Sequence, residues 1–183
     1  MRLFLAVFPP REVQQAVHAA LGVARRPGDG VSWVKPDNLH FTLRFLGELG
    51  ADGARRAGEA AVEAAAASRA FEVVLGAPGA FPNPRRARVI WLGLSRGGDE
   101  LVRLAADLES ALRRRGFDPA DKPFAPHLTL GRVRANGADW SAALAAASVE
   151  PARFTVDRVG LIESTLSPKG SIYRSLVAAP LAD

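Results

Sequence analysis

The sequence predicts an α+β fold built on largely antiparallel sheets. Strand-like and helix-like segments interleave, yet several strands follow one another through joins too short for parallel crossovers. Leu39 to Leu46 and His127 to Val133 alternate apolar and polar residues with the period of half-buried strands. No P-loop and no GxGxxG follows a strand, so the phosphate-cradling turns of doubly wound sheets are missing.

Element by element, Leu3 to Phe8 reads as a buried strand stopped by Pro9-Pro10. Arg11 to Ala24 carries Val13, Val17 and Leu21 at helical spacing, with Pro10 suited to its start. Gly28-Asp29-Gly30 is a turn, and Val31 to Val34 a short extended piece closed by Lys35-Pro36. After the Leu39 strand and a turn over Gly47 to Gly53, Ala54 to Ser68 is alanine-rich and helical. Phe71 to Leu75 is a strand, and Gly76 to Arg86, with Pro78, Pro82 and Pro84, a loop. Arg88 to Leu94 is a strand broken by Gly97-Gly98. Asp99 to Arg115 is an amphipathic helix on Leu101, Leu104, Leu108 and Leu112, N-capped by Asp99 and ended by Gly116. Beyond the loop from Asp118 to Pro126 and the His127 strand come a short helix over Asp139 to Ala147, a strand from Arg153 to Ile162, a loop from Ser164 to Ser171, and a strand from Ile172 to Val177.

Composition bounds the function. The chain has 183 residues, 48% apolar and 23% charged, which are values of an ordinary globular chain and not of a disordered one. The net charge is +5, carried almost wholly by arginine, whose planar fork matches phosphate oxygens; this favours a polyanionic partner. Absence of cysteine excludes disulfides and thiolate metal sites. The apolar start stops at the double proline, short of a signal-peptide core, and no segment approaches a membrane span, so a cytoplasmic protein with no membrane partner is the expectation.

The chemistry sits in two near-copies of one tetrapeptide, His40-Phe41-Thr42-Leu43 and His127-Leu128-Thr129-Leu130. Strand alternation puts His40 and Thr42 on one face, and Phe41, Leu43 and Phe45 on the other, apolar one; His127 and Thr129 likewise share a face. Two such strands brought together offer two imidazoles for proton transfer near neutral pH and two hydroxyls that donate to phosphate oxygens. That set suits phosphoryl transfer without a metal or other cofactor: two histidines with no carboxylate beside either motif are too few ligands for a catalytic zinc. The third histidine, His18, reads as a helix-surface residue without chemical company.

These paired motifs resemble those of the 2H phosphoesterase superfamily, and within it the RNA 2′,3′-cyclic phosphodiesterases, also called 2′-5′ RNA ligases. The resemblance covers nearly the whole chain, through RLFLAVFPP, WVKPDNLHFTLRFLGE, FPNPRRARVIWLGL, FAPHLTLGR and VGLIESTLSPKGSIYRSL. It implies one bilobal domain over residues 1–183, with two pseudo-symmetric lobes, antiparallel sheets facing a central cleft, helices outside, and one H-x-T-x strand per lobe. It also implies a monomer that opens RNA 2′,3′-cyclic phosphate ends, tRNA halves among them, to 2′-phosphates, with weak reversible 2′-5′ ligation. His40 would donate a proton, His127 accept one, and Thr42 and Thr129 hold the phosphate.

Arg132 stands where the resembled family carries a basic residue. Strict alternation would put it on the buried face of Leu128 and Leu130, unless a bulge at Gly131 re-aims it toward phosphate or base. Arg44, two residues past Thr42, is expected to extend the polar row toward RNA or reach solvent. Arg85, Arg86 and Arg88 could track an RNA backbone or be ordinary surface. Phe124 is a candidate base-stacking residue, whereas Phe41 and Phe45 are expected in the core. A binding module that keeps the fold without turnover is the alternative to an enzyme, and the two intact motifs favour the enzyme.

Overall fold

The computed structural model describes the chain apart from residues 24, 26–27, 135–138, 148–151 and 169 and the side chain of residue 23. Its elements are β1 (Arg2–Val7), α1 (Arg11–Ala20), β2 (Val31–Trp33), β3 (Phe41–Glu48), α2 (Ala51–Ala67), β4 (Phe71–Phe81), β5 (Val89–Arg96), α3 (Gly98–Arg114), β6 (Leu128–Val133), α4 (Ser141–Ala146), β7 (Arg153–Val156), β8 (Arg158–Ser167) and β9 (Gly170–Pro180). They form two sheets, β3-β1-β8-β9 and β2-β6-β5-β4-β7, antiparallel at every described pairing between named strands. The α+β expectation holds.

Alternation decides what each sheet buries. In β1, Leu3, Leu5 and Val7 join Phe41, Leu161 and the leucines of α3 in a buried cluster that also takes in Ile90, Leu92 and Leu128 of the second sheet. Helix α2 presents a face of Ala57, Ala60, Ala61, Ala64 and Ala65, small enough for backbone to approach backbone. A Cβ at its Gly58 would stand 3.0 Å from the Val177 side chain. Helix α3 buries Leu101, Leu104, Leu108 and Leu112, as its periodicity predicts. On the opposite face of the first sheet, Phe4, Ala6 and Ile162 form a separate apolar patch with Phe8 and Tyr173 against it.

Four expectations are corrected. Gly76 to Phe81 is strand, not loop: β4 continues through Pro78, opposite Leu92, and Pro78 lies beyond the Phe71–Val74 segment that β7 pairs, where a missing N–H costs nothing. The single strand expected over Arg153 to Ile162 is two, because the chain leaves the second sheet at β7 and enters the first at β8, with Asp157 between. The loop expected from Ser164 to Ser171 is the end of a long β8–β9 hairpin whose ladder runs to Ser167 opposite Gly170; Lys169 lies outside the described residues, as does Ala24 of the first helix. Asp99 is not the cap of α3: Gly97, at φ 85°, holds that place, and Asp99 sits in the first turn, where its charge meets the helix dipole.

Candidate functional site

Each motif histidine stands one residue ahead of its strand. Each ring turns back on its own chain: His40 Nδ1 donates to the Asn38 carbonyl and His127 Nδ1 to the Ala125 carbonyl, both at 2.7 Å. A carbonyl can only accept, so Nδ1 carries the proton in both rings and Nε2 is the working nitrogen. In the neutral form, Nε2 of His40 accepts from the Thr42 hydroxyl at 2.9 Å. The same two-residue reach in both copies leaves one protonatable nitrogen per ring free of the backbone.

The surroundings of the two rings differ. His40 lies among Phe4 (ring centroids 4.9 Å), Phe8 (5.2 Å, stacked) and Tyr173 (5.4 Å, edge-on). Burial in this aromatic setting lowers its pKa, the Asn38 carbonyl opposes that by favouring the charged ring, and the charge of His127 lowers it further. The two imidazoles therefore feel each other across the cleft. Among the described aromatic rings, His127 meets Phe81 edge-on, at 5.2 Å, and Phe81 in turn covers Trp91. Trp91 lies flat over Gly79, where any Cβ would sit 2.3 Å from the indole. Trp91 also pairs directly with Thr129 across the ladder.

Two bulges complete the geometry. In β3, Thr42 faces Ala6 and Arg44 faces Leu5, so Leu43 is an extra residue. In β6, Thr129 faces Trp91 and Gly131 faces Ile90, so Leu130 is extra. Each bulge inverts the alternation after the threonine. Arg44 is turned away from the cleft face, where it donates to the Asp118 carbonyl at 2.6 Å and ion-pairs with Glu109 at 3.2 Å. Neither its expected row toward RNA nor a free solvent position is realised. Phe45, expected in the core, is instead 61% exposed and lies beside Phe4 on the His40 side. Arg132 is likewise freed from the buried face; it is exposed, and its charge acts on the Tyr173 phenol of the other sheet. Gly131 permits this because β2 presses on it: a Cβ there would meet Val31 at 2.7 Å.

Of the remaining candidates, Phe41 is fully buried as expected. Phe124 is half-buried and packs against the core with part of its surface. Arg85 sits in the field of Asp139, while Arg86 and Arg88 are exposed. His18 is not without company: Arg25 lies 3.0 Å from its Nε2 and also covers Trp33. Sequence reasoning missed Phe4, Phe8, Tyr173, Phe81 and Trp91. For Phe4 and Phe8 a signal was present, since the alternation of β1 carried on to Phe8 puts both on one face with Ala6, but nothing local says that the face meets His40.

A family model described as the 2′-5′ RNA ligase superfamily matches residues 6–167. A protein of Archaeoglobus fulgidus named RNA 2′,3′-cyclic phosphodiesterase is 38% identical over 96% of this chain and 98% of its own. One of the same name from Thermotoga maritima is 31% identical over 96% and 93%. Among solved structures, a Thermus thermophilus protein superposes with a TM-score of 0.80 at 32% identity, covering 99% of this chain and 98% of its own. Escherichia coli LigT complexed with 3′-AMP does so with a TM-score of 0.79 at 27% identity, covering 100% and 98%.

Proposed function

The chain belongs to the 2′-5′ RNA ligase superfamily, and from that premise we propose that it opens RNA 2′,3′-cyclic phosphate ends to 2′-phosphomonoesters by proton transfer between His40 and His127, without a metal. The observation that carries this is the matched pair of imidazoles, each with Nδ1 tied to a carbonyl at 2.7 Å and Nε2 left to work. Relatives covering the chain nearly end to end and named RNA 2′,3′-cyclic phosphodiesterase support the substrate class.

In the reaction, water adds to phosphorus as the bond from phosphorus to O3′ breaks, the two oxygens lying roughly in line. One imidazole takes the proton of the water and the other gives a proton to O3′. Thr42, Thr129 and Arg132 hold the non-bridging oxygens as charge grows on them. Phe45, exposed beside Phe4, offers a face on which the terminal base stacks. A 5′-hydroxyl in place of water would add to the same phosphorus, break the same bond and leave a 2′-5′ linkage; tRNA halves are one source of such ends.

The resemblance assigns His40 as acid and His127 as base. The lowered pKa of His40 favours the opposite order in the free protein, since a ring held neutral begins as a base. The anionic phosphodiester, seated against both Nε2 atoms, raises the affinity of either ring for a proton and so admits the first order. The testing experiment is hydrolysis of 2′,3′-cyclic AMP and of a cyclic-phosphate-ended oligoribonucleotide by the purified protein in chelator, with His40→Ala and His127→Ala alongside. Turnover to the 2′-phosphate, lost in both variants, is expected. Binding without turnover would make the chain a binding module.

A further inference from the structure

We propose that the RNA leading up to the reacting end lies across the open end of the second sheet, on Arg86, Arg88, Arg132 and Arg134. This rests on the RNA-end reading above and adds where the rest of the strand goes.

The arginines differ in how they are paired. On the helical side most are matched by acids: Arg55 and Arg56 with Asp52, Arg103 with Glu100, and Arg114 and Arg115 with Glu63. At the end of the second sheet they are not. Among the described residues, Arg86, Arg88, Arg132 and Arg134 form no ion pair, and all four are exposed. Arg134 donates to the Ser32 hydroxyl. Of the acids nearby, the charge of Asp139 acts on Arg85, and that of Asp29 on Arg25.

Their backbones are fixed close together. The Val133 amide donates to the Arg88 carbonyl at 2.9 Å, and the Arg134 amide to Gly30 at 2.7 Å. Val89 lies opposite Arg132. The Asn83 carboxamide caps the turn that carries Arg86, at 3.2 Å. Four exposed arginines on neighbouring backbone positions concentrate positive charge at one strand end, and a phosphate chain is the partner that complements it.

Arg132 joins this surface to the site. It stands three residues beyond Thr129, roughly 10 Å along the strand, so the patch begins where the phosphate-holding groups end. A cavity beside the site is less favourable to phosphates. This cavity, of about 550 Å³ behind Phe8 and Tyr173, is floored by Ala6 and Ile162 and rimmed by the carboxylates of Asp37 and Asp157, and its one arginine, Arg158, is paired to Asp157 at 2.9 Å.

The test compares a cyclic-phosphate-ended oligoribonucleotide with 2′,3′-cyclic AMP as substrates of Arg86→Glu/Arg88→Glu. Expected is a fall of about tenfold or more in kcat/KM on the oligomer at low salt, with cyclic AMP within about twofold. The slope of log affinity against log salt should shrink by about 1.4, the share of two single-strand phosphate contacts. Arg86→Gln/Arg88→Gln should lie between this variant and the unmodified protein. Arg103→Glu/Arg113→Glu on α3 makes the same change in net charge and should leave both substrates unaffected. An equal loss in the α3 variant, a parallel loss on both substrates, or no loss at all would overturn the proposal. Fluorescence anisotropy of a labelled 2′-phosphate-ended oligoribonucleotide reads the same contrast without turnover. If the unmodified protein hydrolyses neither substrate, the RNA-end reading fails, while weaker binding by the charge-reversed loop alone still supports the path and unchanged binding overturns it.

Discussion

Phe45 and Arg132 occupy the same place in two copies of one pattern: each stands five residues after a motif histidine, and each is brought to the cleft side by a single extra strand residue, Leu43 or Leu130. The repeat thus extends past the tetrapeptide, but its last position differs in chemistry, an aromatic ring on one side and a guanidinium on the other.

That difference predicts opposite kinetic signatures. Phe45→Ala removes stacking and should raise KM by about 5- to 100-fold with little change in kcat. Arg132→Ala should lower kcat by about 10- to 1000-fold, and Arg132→Lys, which keeps the charge but not the fork, should recover only part. Steady-state kinetics on a cyclic-phosphate-ended dinucleotide separate the two; a kcat effect at Phe45 would count against the stacking role.

Exposure predicts opposite effects on stability for two phenylalanines of one strand. Phe41 is fully buried, and Phe41→Ala should cost about 3–5 kcal/mol. Phe45 is 61% exposed, and its removal should change stability by about 0.5 kcal/mol or less. Urea denaturation midpoints measure both.

Thr42→Ala and Thr129→Ala should each slow catalysis by about 10- to 1000-fold, while the serine variants, which keep the hydroxyl, lose far less. Thr42 also donates to His40 Nε2. Equal damage from alanine and serine would move the role from the hydrogen bond to methyl packing.

His40 titrates below the ordinary histidine value, first because of burial and then because of the His127 charge, against the pull of Asn38. A folded-state pKa lowered in this way means that the unfolded chain binds the proton more readily, so stability falls as pH drops through the ordinary value toward the folded one. Melting temperature should therefore decline below about pH 6.5, and less so in His40→Gln. The same shift fixes a limb of kcat/KM. If His40 is the acid, the alkaline limb lies below its ordinary pKa and the optimum is acidic; if it is the base, that titration is the acidic limb. A substrate with a leaving group that needs no proton gives an independent answer, because only the variant lacking the acid should then keep its rate.

Activity should be unchanged in chelator, since two imidazoles replace a metal-activated water. Loss in EDTA, restored by zinc or manganese, would end the two-histidine mechanism.

The motifs, the helix faces and most strands could be read from the sequence because each is a local period. Leu101, Leu104, Leu108 and Leu112 bury as their spacing says. What could not be read depends on non-local pairing. The fates of Arg44 and Phe45 turn on one extra residue opposite β1, which inverts a correct alternation midway along the strand. Pro78 and Gly79 read as loop because their tolerance comes from a neighbouring strand too short to need their amides and from the Trp91 ring. The aromatic wall of His40 is gathered from both ends of the sequence, Phe4 and Phe8 near one and Tyr173 near the other.

The crossing at Asp157 has a further bearing on how the protein is made. Strand β1 is synthesised long before one of its two neighbours, β8, which begins only at Arg158. A ribosome that has released the chain through β7 has delivered both motif histidines and all five strands of the second sheet, while β1 still offers an unpaired edge to any strand nearby. The nascent protein is thus most exposed to wrong pairing just before β8 and β9 emerge, and the hairpin that completes His40's surroundings is also the one that closes that edge.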